Sequence, residues 1–261
     1  MQHLITRVSE RLNAIGFERA RRAVAALALS LFLSLYLILA LILFMNGMEI
    51  WVPAFVGLGV CYGVAFMGVA AEWFWGRWFA AGLGWSGVMV AVATQVMTGT
   101  WNPFMAAFGG LHVVIIAMLA GPKMAARFDL QPAWRERYGM DEFGVARLKK
   151  TVTRASASLP SVILWAFGPK DPGQGMAIAG IAAVLLAVTG LRGVIKMRTW
   201  GLAALAGAAV VVFVTGDIVS PTMGLSTSMP TSLGLGPTLG AAFLAVAVAP
   251  FIRPALRYLR R

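Results

Sequence analysis

Long apolar stretches, broken by short charged clusters, set the pattern of this chain. Residues 23–45, 50–71, 79–97, 103–121, 174–191, 199–216 and 237–252 are strongly apolar, and about 20 such residues in a helix cross about 30 Å of hydrocarbon. Seven spanning helices follow directly. An eighth segment, 151–168 (TVTRASASLPSVILWAFG), has a short apolar part and carries Arg154, Ser156, Ser158, Ser161 and Pro160. Leu148, Val152, Ala155, Leu159 and Val162 recur at helical spacing, so this helix is expected to begin before Thr151 from an amphipathic base. The alternative is a re-entrant or interfacial segment. Ahead of the first run, Leu4, Val8, Leu12 and Ile15 share one face and Arg7 and Arg11 another. That pattern predicts a cytoplasmic interfacial helix over 1–22, against a frayed tail as the alternative.

Charge decides how the eighth segment is read. If it crosses, every Lys and Arg except Lys170 falls on one side of the membrane. If it does not, the clusters Arg192–Arg198 and Arg253–Arg261 move to the opposite face. The bias of basic residues toward the cytoplasm therefore favours an all-α polytopic protein of eight spans, the fifth short and irregular, with both termini inside. The first run is too long for the apolar region of a signal peptide. A bacterial cytoplasmic membrane is the expected location.

The spans group into a first four-helix half (23–121), an amphipathic cytoplasmic linker (122–150) and a second half with a basic tail (151–261). Three ordered landmarks suggest that the halves are a parallel duplication. Arg77-Trp78 leads into FAAGLGWSG and Arg198-Thr199-Trp200 into GLAALAGAA; TGTWNP and TGDIVSP end the third and seventh spans; AGPKMAARF and APFIRPALRYL follow the fourth and eighth. Their offsets are similar without being constant, and chance alignment of small residues is the competing account. In the linker, Asp129 is expected to cap a short helix starting near Pro132, and Asp141 the approach to the fifth span. The linker suits a helix at the headgroups, or a docking surface for a soluble partner. The uncharged stretch 220–236 reads as a loop, either a plain connector or a lid.

Composition narrows the class. With 59% hydrophobic and 12% charged residues among 261, and a mean hydropathy of +0.80, the chain has lipid as its solvent. The net charge of +12 sits at the ends of apolar runs, where it meets anionic headgroups of membrane lipids, not nucleic acid. The one cysteine, Cys61, excludes an intrachain disulfide.

Residues able to carry chemistry are few. There are two histidines, His3 and His112, so no bis-histidine haem can be built within the membrane. His112 has three readings: a bond across helices, a proton relay, or ligation together with methionine. Glu72 is a candidate ion or proton site, but Arg77 five residues later makes a structural ion pair the simpler expectation; Asp217 is a second candidate at the outer end of the seventh span. Trp73, Phe74, Trp75 and Trp78 read as an interfacial belt. Thr94, Gln95, Thr98 and Asn102 form a polar patch which, with Arg154, Ser156, Ser158, Ser161 and His112, supplies the candidates for a polar path; hydroxylated residues also serve simply to pack helices. No phosphate loop, zinc motif, cysteine pair or nucleophile elbow occurs. No cofactor is expected. The expected function is a permease or channel-like protein moving a small solute, ion or lipid-like molecule along the interface between halves. A non-catalytic subunit of a larger membrane complex is the alternative, and a lipid-modifying enzyme the third. Partners beyond lipid are other membrane subunits or a second copy of the chain.

Overall fold

Ten α-helices account for nearly all of the described residues, which in this computed structural model are 16–168, 174–215 and 240–251. In chain order they are α1 (Phe17–Met45), α2 (Val52–Ala70, entered through a 3-10 turn at Glu49–Trp51), α3 (Gly76–Thr98), α4 (Pro103–Leu119), α5 (Pro122–Asp129), α6 (Pro132–Tyr138), α7 (Glu142–Phe167), α8 (Gln174–Ile195), α9 (Thr199–Thr215) and α10 (Gly240–Phe251). Each apolar run found in the sequence is helical over nearly all of its described part. Among the described residues four helices are long and apolar enough to cross a membrane, and five if α4 and α5, bent by 74°, count as one span. This is the make-up of an integral membrane protein. α9 and α10 are shorter apolar helices. The N-terminal segment before Gly16, the loop 220–236, and His3, Lys170, Asp171 and Asp217 lie outside the described residues.

Helix ends follow local chemistry. Asn102 accepts from the amides of Phe104 and Met105 with Pro103 at the first helical position, starting α4. Asp141 accepts from Gly144 N at 2.6 Å and starts α7, as the sequence suggested. α7 therefore begins within the expected linker, well before Thr151. The fourth span was expected to run to residue 121, but its helix ends at Leu119. There Gly121 takes φ 96 and Pro122, which has no amide to continue the ladder, opens α5 in a new direction.

α1 packs on α2 and α4, α3 on α4, and α8 on α9; α7 joins the two groups by packing on α3, α2 and α8. Close approach is built from missing side chains. A Cβ on Gly82 of α3 would overlap Ser156 Oγ and the Thr153 carbonyl of α7, and one on Gly87 would overlap the His112 ring of α4.

The α2–α3 and α8–α9 turns are built alike. Trp73 N donates to Gly68 O at 2.9 Å and Gly76 N to Trp73 O at 2.8 Å; Arg198 N donates to Gly193 O at 2.8 Å and Gly201 N to Arg198 O at 3.0 Å. Both put a non-glycine residue in the left-handed region, Glu72 at φ 54 and Met197 at φ 57. In both, paired glycines bring the helices together under an indole. A Cβ on Gly68 would lie 2.9 Å from Gly76 Cα and 3.4 Å from the Trp75 ring; one on Gly193 would lie 2.7 Å from Gly201 Cα and 3.0 Å from the Trp200 ring. The segments are GVAAEWFWG and GVIKMRTWG. All these pairs share one offset, that of Gly68 to Gly193. α1 and α7 begin, and α2 and α8 end, at the same offset. In these two turns Trp75 and Trp200 hold equivalent places, whereas Trp78, expected to match Trp200, lies inside α3, and Arg198 corresponds to Trp73, not to Arg77.

Candidate functional site

A cavity of about 320 Å³ lies where the two groups of helices meet. α2 contributes Val60, Cys61 and Val64; Trp75 and Phe79 come from the start of α3 and Leu159 from α7. α8 completes the wall with Val188, Leu191 and Ile195. Val60, Val64 and Val188 are about half exposed while Leu159 and Phe79 are buried, so the cavity opens sideways toward lipid and closes against α7 and α3. Its polar side chains are Arg192, in the last turn of α8, and Lys196, the first residue past that helix; both are exposed. In the sequence these two stand only within the basic cluster Arg192–Arg198 that orients the chain, not among the site candidates. Their spacing at the end of an apolar run was the available signal, but the apolar wall facing them comes from helices distant in sequence.

The candidates for a polar path do not share one place. On α7, Ser156 Oγ donates to Val152 O at 2.8 Å and Ser158 Oγ to Ala155 O at 2.7 Å, so both hydroxyls turn back on their own helix. Ser161 is buried in the same helix. Arg154 donates to Val246 O of α10 at 2.9 Å, beside a bond from Thr151 Oγ1 to Ala247 O at 3.0 Å. Gln95 and Asn102 form a closed pair across the α3–α4 loop, Gln95 Nε2 donating to Asn102 O and Asn102 N to Gln95 Oε1, each at 2.8 Å. Thr98 Oγ1 donates to Thr94 O at 2.9 Å. Ser156 packs against Gly82, and Gln95 lies about 20 Å farther along α3 at 1.5 Å per residue.

His112 is fully buried. Nδ1 lies 2.8 Å from Phe108 O, an acceptor, and Nε2 lies 2.6 Å from the Tyr62 hydroxyl. In the neutral ring Nδ1–H donates to the carbonyl and Nε2 accepts from tyrosine. Phe32 lies over the imidazole with centroids 4.1 Å apart, and Phe108 lies 4.4 Å away. His112 thus ties α4 to α2 inside an aromatic box. Among the described residues no three His, Cys, Asp or Glu side chains converge on a point a metal could occupy.

The chain matches no protein family, curated protein or solved structure. What its polar groups do must be read from their partners.

The densest polar network lies at the α2–α3 turn. The expected Glu72–Arg77 pair does not form. Glu72 pairs instead with Arg22 of α1 and with Arg127 of α5, the latter at 2.9 Å. Arg77 turns the other way, into the protein, reaching Asp129 Oδ2 at 2.6 Å and Leu119 O at 2.8 Å. Trp78 Nε1 donates to the other carboxylate oxygen at 2.8 Å. Asp129 therefore ends α5 as the acceptor of a buried cation and does not cap α6, whose N-cap is Gln131. The aromatic run is only partly a belt: Trp73 is exposed, but Trp78 is buried and Phe74 stacks on Trp134 at 4.2 Å. Arg21 donates to Ala117 O and Ala120 O, each at 2.7 Å, satisfying carbonyls at the end of α4. This network fastens α1, α3, α4 and the linker helices together.

Proposed function

We propose that this protein is a permease-like membrane protein that moves a lipid-like molecule along the interface between its two halves. The observation that carries the reading is the cavity at that interface: apolar, open sideways to lipid, and ending at Arg192 and Lys196. Ser156, Ser158, Arg154, Gln95, Thr98 and His112 are taken up by structural bonds, which favours an amphiphile over a small hydrophilic solute or an inorganic ion. The matched turns and common helix offsets support a parallel duplication of four helices, α1–α4 and α7–α10. Two such halves give eight spans and both termini on one side, in keeping with the distribution of basic residues. The basic flanks favour the cytoplasm for that side.

The test is transbilayer movement of a fluorescent phospholipid in proteoliposomes, read by quenching the outer leaflet with dithionite. The expected result is a rate above that of protein-free vesicles, lowered by Val64→Trp, which fills the cavity from its lipid-facing side. Movement no faster than in protein-free vesicles would sink the reading. Purification with a foreign subunit at fixed stoichiometry would instead point to an anchoring role in a larger complex.

A further inference from the structure

Arg192 and Lys196 form no ion pair among the described residues. Lys196, the first residue past α8, still donates its backbone N–H to Arg192 O at 3.0 Å, so the two side chains, four positions apart, leave the helix end on one side, and both border the cavity. From Val188 to Lys196 the helix rises about 12 Å at 1.5 Å per residue. That covers most of one leaflet, about half of the roughly 30 Å hydrocarbon core. Along this depth the wall is aliphatic and aromatic, and Trp75, an amphipathic ring suited to the headgroup level, stands in it.

A slot one leaflet deep, open to the bilayer and ending in two cations, asks for a particular partner. It must carry a hydrocarbon chain and a negative charge at the depth where that chain begins. We infer that the cavity is a specific site for an anionic phospholipid, with one acyl chain between α2 and α8 and its phosphate between Arg192 and Lys196. No acidic side chain borders the cavity to oppose the phosphate. The site uses the same cavity as the transport reading and does not depend on movement: a lipid held there can be cargo or a fixed structural partner.

The experiment is native mass analysis of the full chain released from nanodiscs of mixed phosphatidylglycerol and phosphatidylcholine. The expected result is one retained phosphatidylglycerol, enriched roughly thirtyfold over its share of the nanodisc, the scale set by two basic side chains at a headgroup. Arg192→Gln with Lys196→Gln should abolish the enrichment. Lys149→Gln with Lys150→Gln, which removes equal charge from the exposed base of α7, should leave it intact. Val188→Trp, at a half-exposed position on the cavity wall, should expel the lipid without touching either cation. Equal retention of both lipids by the unaltered protein, or undiminished enrichment in the Arg192/Lys196 double variant, would overturn the inference. Enrichment without transbilayer movement would support the site and sink only the transport reading.

Discussion

Asp129→Asn tests whether the linker is locked to the bundle by a buried charge. The Arg77 and Asp129 side chains are each 9% exposed. Asparagine keeps the shape and one acceptor for the Trp78 indole, but leaves the guanidinium with the Leu119 carbonyl and no counter-charge. Removing one member of a buried pair costs about 3–5 kcal/mol, because the remaining charge is stranded away from water. Glu72→Gln is the contrast. Its carboxylate is 27% exposed and shared by two arginines that are themselves partly exposed, and each pair of that kind contributes about 1 kcal/mol or less. Unfolding in mixed micelles of increasing SDS content, followed by tryptophan fluorescence, should rank Asp129→Asn well below Glu72→Gln. Arg77→Gln combined with Asp129→Asn should cost less than the sum of the two single changes, with a coupling of at least about 1 kcal/mol, as expected of groups in direct contact. If Glu72→Gln proved equally damaging, or the double variant were additive, the buried lock would be refuted.

Gly82→Leu should separate α7 from α3, because the new side chain meets a backbone carbonyl that cannot move aside; a loss of about 1–3 kcal/mol or more is expected, readable in the same SDS titration. Tyr62→Phe leaves His112 Nε2 without its donor and should cost about 0.6–1.7 kcal/mol, the range for bonds between membrane helices. His112→Ala empties a fully buried site and should cost about 2–5 kcal/mol; near-equal losses for the two would show that the bond, not the packing, dominates. Gly76→Ala and Gly201→Ala each drive a Cβ into the backbone of the preceding helix, and both should lower the thermal midpoint in detergent. A neutral effect at either one would mean that the two turns are not mechanically equivalent.

Hydrophobic length alone determined that this chain is helical and built for lipid, since no soluble fold buries such long apolar runs. Local signals also placed some boundaries: Asp141 caps α7 because a carboxylate beside the free amides of a helix start needs no distant partner. Bonding partners were another matter. Arg77 lies five residues from Glu72 in sequence, but a left-handed residue at the turn sends Glu72 toward α1 and α5 and leaves Arg77 to Asp129. Only the fold decides which of several nearby charges a side chain can reach. The likeness of the two turns was in the sequence as GV and WG at equal spacing, but their matching positions became readable only from hydrogen bonds that do not depend on side chains. The candidate site was least legible of all. Arg192 and Lys196 were counted as topology markers, and nothing along the chain tells a flanking cation from one at the mouth of a cavity. That difference comes from α2, α3 and α7 standing opposite α8, an arrangement set by packing between helices far apart in the sequence.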